Sequence, residues 1–114
     1  MAFTWADLRS LILQFPGVEE GTSYGTPAFK VRGKLLTRLN EDGVSLVVKV
    51  GLDERAHLMA IDRDNFYITP HYKDWPAMLV RLDGVPIDIL RRLLEETWRA
   101  AAPKKLVKEY DDAR

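Results

Sequence analysis

The stretch from residue 27 to residue 50 most constrains the fold, because its apolar residues recur with a period of two. Phe29 and Val31 are predicted on one face of a strand, with Lys30 and Arg32 on the other. Turn residues interrupt this alternation twice, so the stretch divides into three short strands. Connections of a few residues join antiparallel strands, whereas parallel strands need long crossovers. The sequence therefore predicts an antiparallel meander.

Two turn signals separate these strands, Gly33-Lys34 and residues 40–43. The second is the stronger hairpin signal, because Gly43 is placed to take a positive φ. The third strand, residues 45–50, is rich in β-branched residues. The segment before the meander, residues 18–26, contains two glycines and two adjacent glutamates and is predicted to be a loop.

Helical spacing of apolar residues appears on both sides of the meander. Thr4 is predicted to cap a first helix with Asp7, and Pro16-Gly17 to end that helix. The remaining elements are a short helix from residue 53 to 61 with Leu52, Ala56 and Met59 buried, strands at 65–69 and 77–82, a longer helix from near Pro86, and a terminal helix over 104–110. The order αβββαββα plus a short C-terminal helix predicts an α+β fold, with helices packed on one face of a mostly antiparallel sheet.

The same patterns predict which residues form the core. The sheet is expected to contribute Phe29, Val31, Leu46 or Val47, and Val50. The helices are expected to contribute Trp5, Leu8, Leu11, Leu90 and Leu94.

Length and composition limit the class of protein. The chain has 114 residues, which suits a single domain over residues 1–114. It contains no cysteine, so disulfides, thiolate zinc sites and cysteine nucleophiles are excluded. Seventeen basic residues balance seventeen acidic ones, which argues against a polybasic arm. Apolar runs are too short for a membrane span and no leader is visible, so we expect a monomeric cytoplasmic protein without membrane attachment.

No pattern indicates catalysis or a bound metal. The two histidines, His57 and His71, lie in different elements and match no metal-ligand spacing. No serine stands in a nucleophile-elbow context, and the paired carboxylates are neighbours in sequence, so their side chains point apart. We therefore expect no enzyme activity, no catalytic residue, no metal and no cofactor.

Charge is distributed unevenly along the chain. Residues 27–50 hold five basic residues against two acidic ones, a net charge of +3. If the strand faces coincide, basic side chains cover the sheet face that the helices leave free, and such a surface can contact nucleic-acid phosphates. The same charges also suit an ordinary solvated sheet face. The candidate nucleic-acid-binding residues are Lys30, Arg32, Lys34, Arg38 and Lys49.

The loop at residues 70–76 combines aromatic and basic side chains between two prolines. Its candidate contact residues are His71, Tyr72, Lys73 and Trp75. Exposed aromatics of this kind can stack on bases or line a ligand pocket. They can equally form a small satellite core beneath the loop, the interpretation we favour for Trp75.

Short motifs recur in a characteristic order along nearly the whole chain. They occupy residues 16–20, 25–31 with 33–34, 69–72 with Trp75, 80–83 and 102–105. In number, order and spacing they resemble the MmcQ/YjbR-like family of small bacterial proteins. The resemblance implies a double-wing α/β fold and DNA binding, and it supplies no catalytic residues. Lys30 and Lys34 match the family's F-K-V-x-G-K stretch, and His71 and Trp75 match its His-to-Trp loop.

These observations favour a noncatalytic DNA-binding domain that contacts phosphates through the basic sheet face, with residues 70–76 as accessory surface. The alternative is a module that binds a small molecule or a protein through the aromatic loop.

Overall fold

A computed structural model describes residues 3–114, which form four α-helices and one six-stranded antiparallel sheet. In chain order the elements are α1 (Trp5–Ile12), β1 (Val18–Ser23), β2 (Thr26–Val31), β3 (Lys34–Leu39), β4 (Ser45–Lys49), α2 (Leu52–Ile61), β5 (Phe66–Tyr67), a short 3₁₀ helix (Pro70–Tyr72), β6 (Ala77–Arg81), α3 (Ile87–Ala101) and α4 (Lys104–Asp112). The strand order is β1-β2-β3-β4-β6-β5. The predicted α+β class is confirmed.

The N-terminal cap of α1 follows the prediction. The Thr4 hydroxyl accepts a hydrogen bond from the Asp7 N–H at 3.2 Å, and the Asp7 carboxylate accepts one from the Thr4 N–H at 2.9 Å. This capping box satisfies two N–H groups that the first helical turn leaves without partners. The helix ends at Ile12, and Phe15 beyond it is still buried.

The prediction of a loop over residues 18–26 is wrong, because β1 lies there and pairs with the whole of β2. As an edge strand, β1 has a partner on one side only and four of its six residues are exposed, so it needs no apolar alternation. Its hairpin turns at Tyr24-Gly25, with φ of +52° and +79°. A two-residue turn with positive φ at both central residues has a backbone twist that matches the twist of the paired strands.

The predicted core is confirmed, and the choice between Leu46 and Val47 is resolved. Leu46 belongs to it, whereas Val47 lies on the opposite face in a row with Arg38 and Leu79. Trp5 and Leu11 are partly buried against it. Buried side chains of α3 pack over the sheet: Leu90, Leu93, Leu94 and Trp98.

Helix α2 presents a different stripe from the predicted one. Arg55 and Leu58 are its buried residues. Of the predicted residues, Leu52 and Ala56 are exposed, and Met59 is partly buried against the core as expected. The predicted stripe left out Arg55, whose charged group is accommodated inside the protein by hydrogen bonds to four main-chain carbonyls.

Candidate ligand-binding cleft

An open cleft of about 770 Å³ lies where the start of β3, the end of β4 and residues 75–77 meet the C-terminal half of α3. Its walls are mostly apolar, and they include Leu35, Val50, Leu93 and Ala100. Sequence patterns indicated only that the aromatic loop at residues 70–76 could line a pocket. The other walls come from separate parts of the chain, so no local pattern indicated them.

Trp75 forms one side of the cleft and is 63% exposed. The expectation that it would sit in a satellite core is therefore wrong. Main-chain pairing places it beside the end of β4: the Val50 N–H donates to the Pro76 carbonyl at 3.0 Å, and Lys49 pairs in register with Ala77. An exposed indole beside apolar walls offers a flat surface to a ring-shaped ligand.

Arg55 determines the conformation of the segment that carries Trp75. Its guanidinium donates to the main-chain carbonyls of Tyr72 at 2.8 Å, Trp75 at 2.7 Å, Ala77 at 3.1 Å and Lys73 at 2.9 Å. Arg55 is 9% exposed. Buried polar groups need hydrogen-bond partners, so these four acceptors stabilise both the arginine and the fold of the segment. Sequence reasoning missed Arg55, although its place three residues before Leu58 was a signal that it shares the buried face.

Positive side chains outnumber negative ones among the residues that line the cleft. Lys34 and Lys49 line it and are exposed, and neither has an ion-pair partner within residues 3–114. The one carboxylate among the lining residues, Glu96, lies 3.0 Å from the guanidinium of Arg92. The cleft therefore carries a local excess of positive charge.

Arg38 does not lie on an exposed basic face as expected, because it is only 8% exposed. Its guanidinium lies 3.2 Å from the Glu41 carboxylate, donates to the Tyr72 hydroxyl at 3.2 Å and sits 5.3 Å from the centre of the Tyr24 ring. A main-chain hydrogen bond and the charge of Arg38 lower the pKa of the Glu41 carboxyl. Arg38 thus holds the β1–β2 hairpin and residues 70–72 on the sheet.

The other four predicted basic residues do not share one strand face. Lys30 is half-buried on β2, opposite Glu19 of β1. Arg32 lies beyond the end of β2, in the turn to β3, with φ of +50°, so it does not share a strand face with Lys30 as expected. Only Lys34 and Lys49 of the five line the cleft.

The four candidate residues of the 70–76 loop lie in different surroundings. His71 is exposed and meets the Tyr72 ring edge-on, with 4.8 Å between ring centres. Tyr72 is half-buried through its contact with Arg38, and Lys73 is exposed while its carbonyl binds Arg55. Of these four residues, Trp75 is the one that lines the cleft.

Across residues 3–114, no three His, Asp or Glu side chains gather in a cluster suited to a metal ion. In that same range, no helix is both long enough and apolar enough to cross a membrane.

Comparisons with known proteins agree with this fold. Proteins of Mycobacterium tuberculosis and Mycobacterium bovis, described as uncharacterized, are 38% identical over 122 residues, which covers 94% of this chain and 95% of theirs. A crystal structure of a Deinococcus radiodurans protein with a DUF419 domain matches with a TM-score of 0.75 at 24% identity, covering 96% of this chain and 89% of that one. The YjbR family model matches residues 13–100. The chain therefore belongs to the YjbR family.

Proposed function

We propose that this protein is a noncatalytic binding domain whose ligand is a small molecule that lies in the cleft with a planar, apolar part against Trp75. The observation that carries the proposal is a largely exposed tryptophan held in place by a buried arginine beside apolar walls. Ligand sites commonly enclose roughly 300–1,000 Å³ and combine apolar walls with a few polar groups, and this cleft has both properties.

The polar groups of the cleft support binding rather than catalysis. The Thr97 hydroxyl donates to the Leu93 carbonyl at 2.9 Å within α3, and Glu96 is held by Arg92. Nucleophilic catalysis needs a base within hydrogen-bond distance of the nucleophile. Neither Thr97 nor Glu96 offers such a pair, because each is already engaged with another partner.

Trp75→Ala tests the proposal with a neutral probe, 2-naphthamide, whose binding is followed by ¹H–¹⁵N NMR. We expect saturable shifts at the amides of cleft residues such as Gly51, Ala77 and Ala100. The variant should bind at least about fivefold more weakly, because stacking on an aromatic side chain contributes roughly 1–3 kcal/mol. Shifts scattered over the surface, or equal affinity in the variant, would overturn the proposal.

A second candidate function is binding of duplex DNA. It is favoured by four basic residues of the segment from β2 to β4 that have no ion-pair partner in the described part of the chain, Lys30, Arg32, Lys34 and Lys49. Arg38 is not among these four residues, because the Glu41 carboxylate already compensates its charge. Four phosphate contacts would give a slope of log K against log salt of roughly −3 to −4.

The double variant Lys30→Gln/Arg32→Gln separates the two functions, because neither residue lines the cleft. If duplex DNA is bound, the salt slope should flatten by about two units in fluorescence anisotropy, at about 0.9 per lost contact. Binding of 2-naphthamide should not change. An unchanged slope, or no DNA binding at low salt, excludes this candidate.

A further inference from the structure

Two lysines line the cleft, and one of them lies beside its aromatic side. Lys49 pairs with Ala77 across the β4–β6 ladder, and the next residue, Val50, donates to the Pro76 carbonyl at 3.0 Å. Lys49 is therefore adjacent to the segment that carries Trp75. Lys34, at the start of β3, lines the same cleft. A ligand ring against Trp75 would have cationic groups at its margin.

The acidic residue at the cleft does not cancel these charges. Glu96 binds Arg92 at 3.0 Å, and Arg92 also binds Glu54 at 2.8 Å, so these three residues form their own network on α3 and α2. Lys34 and Lys49 have no such partner within residues 3–114. Positive groups that lack a partner inside the protein attract an anion from outside it, and lysine is a common partner of carboxylate and phosphate.

We infer that the ligand of this cleft carries an anionic group, which Lys34 and Lys49 hold while its ring lies on Trp75. The inference rests on the proposed function, since it requires that the cleft bind a small molecule. It adds the charge of the ligand and two residues that select for it. Lysine ammonium groups contact both carboxylates and phosphates, so both chemistries are open to this site.

A matched set of naphthalene probes tests the charge directly by NMR titration. The set is 2-naphthoate, 2-naphthyl phosphate, neutral 2-naphthamide and cationic 2-naphthylmethylammonium, which share one ring system. We expect both anions to bind more tightly than the amide, and the cation most weakly. The difference should shrink as salt is added, because exposed charges are screened. The stronger of the two anions identifies the preferred group.

The variants Lys34→Gln and Lys49→Gln should each lower the affinity for the anions by about two- to fivefold more than they lower the affinity for the amide, as for loss of an exposed ion pair. Lys108→Gln is the matched control, because Lys108 is an exposed lysine of α4 outside the cleft lining. If the amide binds as tightly as the anions, or the lysine variants do not discriminate, the charge inference fails while the cleft stands. If no probe binds at the cleft, the proposed function itself fails.

Discussion

Replacing Trp98 by alanine is expected to lower the free energy of unfolding by about 3–5 kcal/mol, as for other large aromatic residues removed from a core. Trp98 has no exposed surface, and its ring stacks on Phe15 with 5.4 Å between centres and meets Tyr110 edge-on at 5.1 Å. Its indole N–H donates to the Pro16 carbonyl at 2.9 Å. The residue therefore joins α3 to the segment before β1 and to α4. Urea denaturation followed by circular dichroism measures the change.

Trp75→Ala is the matched control, because it makes the same chemical change at a tryptophan that is 63% exposed. Its unfolding free energy should change by less than about 0.5 kcal/mol, as is usual for surface substitutions. Trp98→Phe should lie between the two, since it keeps an aromatic ring and loses the bond to Pro16. Equal loss of stability at positions 75 and 98 would contradict the assignment of one to the cleft and the other to the core.

Replacing Arg55 by methionine is expected to lower the free energy of unfolding by about 2–4 kcal/mol and to abolish binding of 2-naphthamide. The change leaves four main-chain carbonyls, at Tyr72, Lys73, Trp75 and Ala77, without the donor that satisfies them. Burying an acceptor without its partner is costly, so the segment should rearrange to reach water. Trp75 would then lose its position beside the apolar walls.

Two further variants identify the cause of this effect. Arg63→Met removes an arginine that is exposed, and it should leave both stability and binding unchanged. Arg55→Lys keeps the positive charge but replaces the planar fork by one ammonium group, which cannot reach all four carbonyls. It should restore stability only in part. Full recovery with lysine would mean that charge, rather than the arrangement of donors, maintains the segment.

Local patterns were sufficient to predict the meander and its core. In β2, Phe29 and Val31 flank Lys30, and both belong to the core. In β4, Leu46 and Val48 belong to the core, whereas Val47 between them does not. The cap at Thr4 was also predictable, since it depends on residues three positions apart. Such features are contained within a few consecutive residues. Strand β1 was not predictable in this way, because it is held by main-chain pairing with β2 while its side chains face solvent.

The cleft and its supports could not be predicted from local patterns, because they depend on contacts between distant residues. Arg38 and Tyr72 are 34 positions apart, and Arg55 binds carbonyls 17 to 22 positions away. Arg38 was assigned to an exposed face by its charge, and Arg55 was assigned no position, yet each is buried with partners. The net charge of +3 over residues 27–50 follows from the sequence alone, but the exposed basic face expected from it does not include Arg38, which is buried. The sequence alone could not identify the basic residues that lack an ion-pair partner, because that depends on their neighbours in the fold.

The acceptors around Arg55 have a consequence for how the protein responds to acid. All four are main-chain carbonyls, which do not take up a proton in the pH range where carboxylates titrate. The guanidinium of Arg38, by contrast, is paired with the titratable carboxylate of Glu41. Acidification would therefore weaken the ion pair between Arg38 and Glu41, near the β3–β4 turn, before it affects the contacts of Arg55. Residues 75–77 would keep their conformation, because the hydrogen bonds from Arg55 do not depend on pH in this range. The position of the Trp75 ring in the cleft should therefore be insensitive to pH.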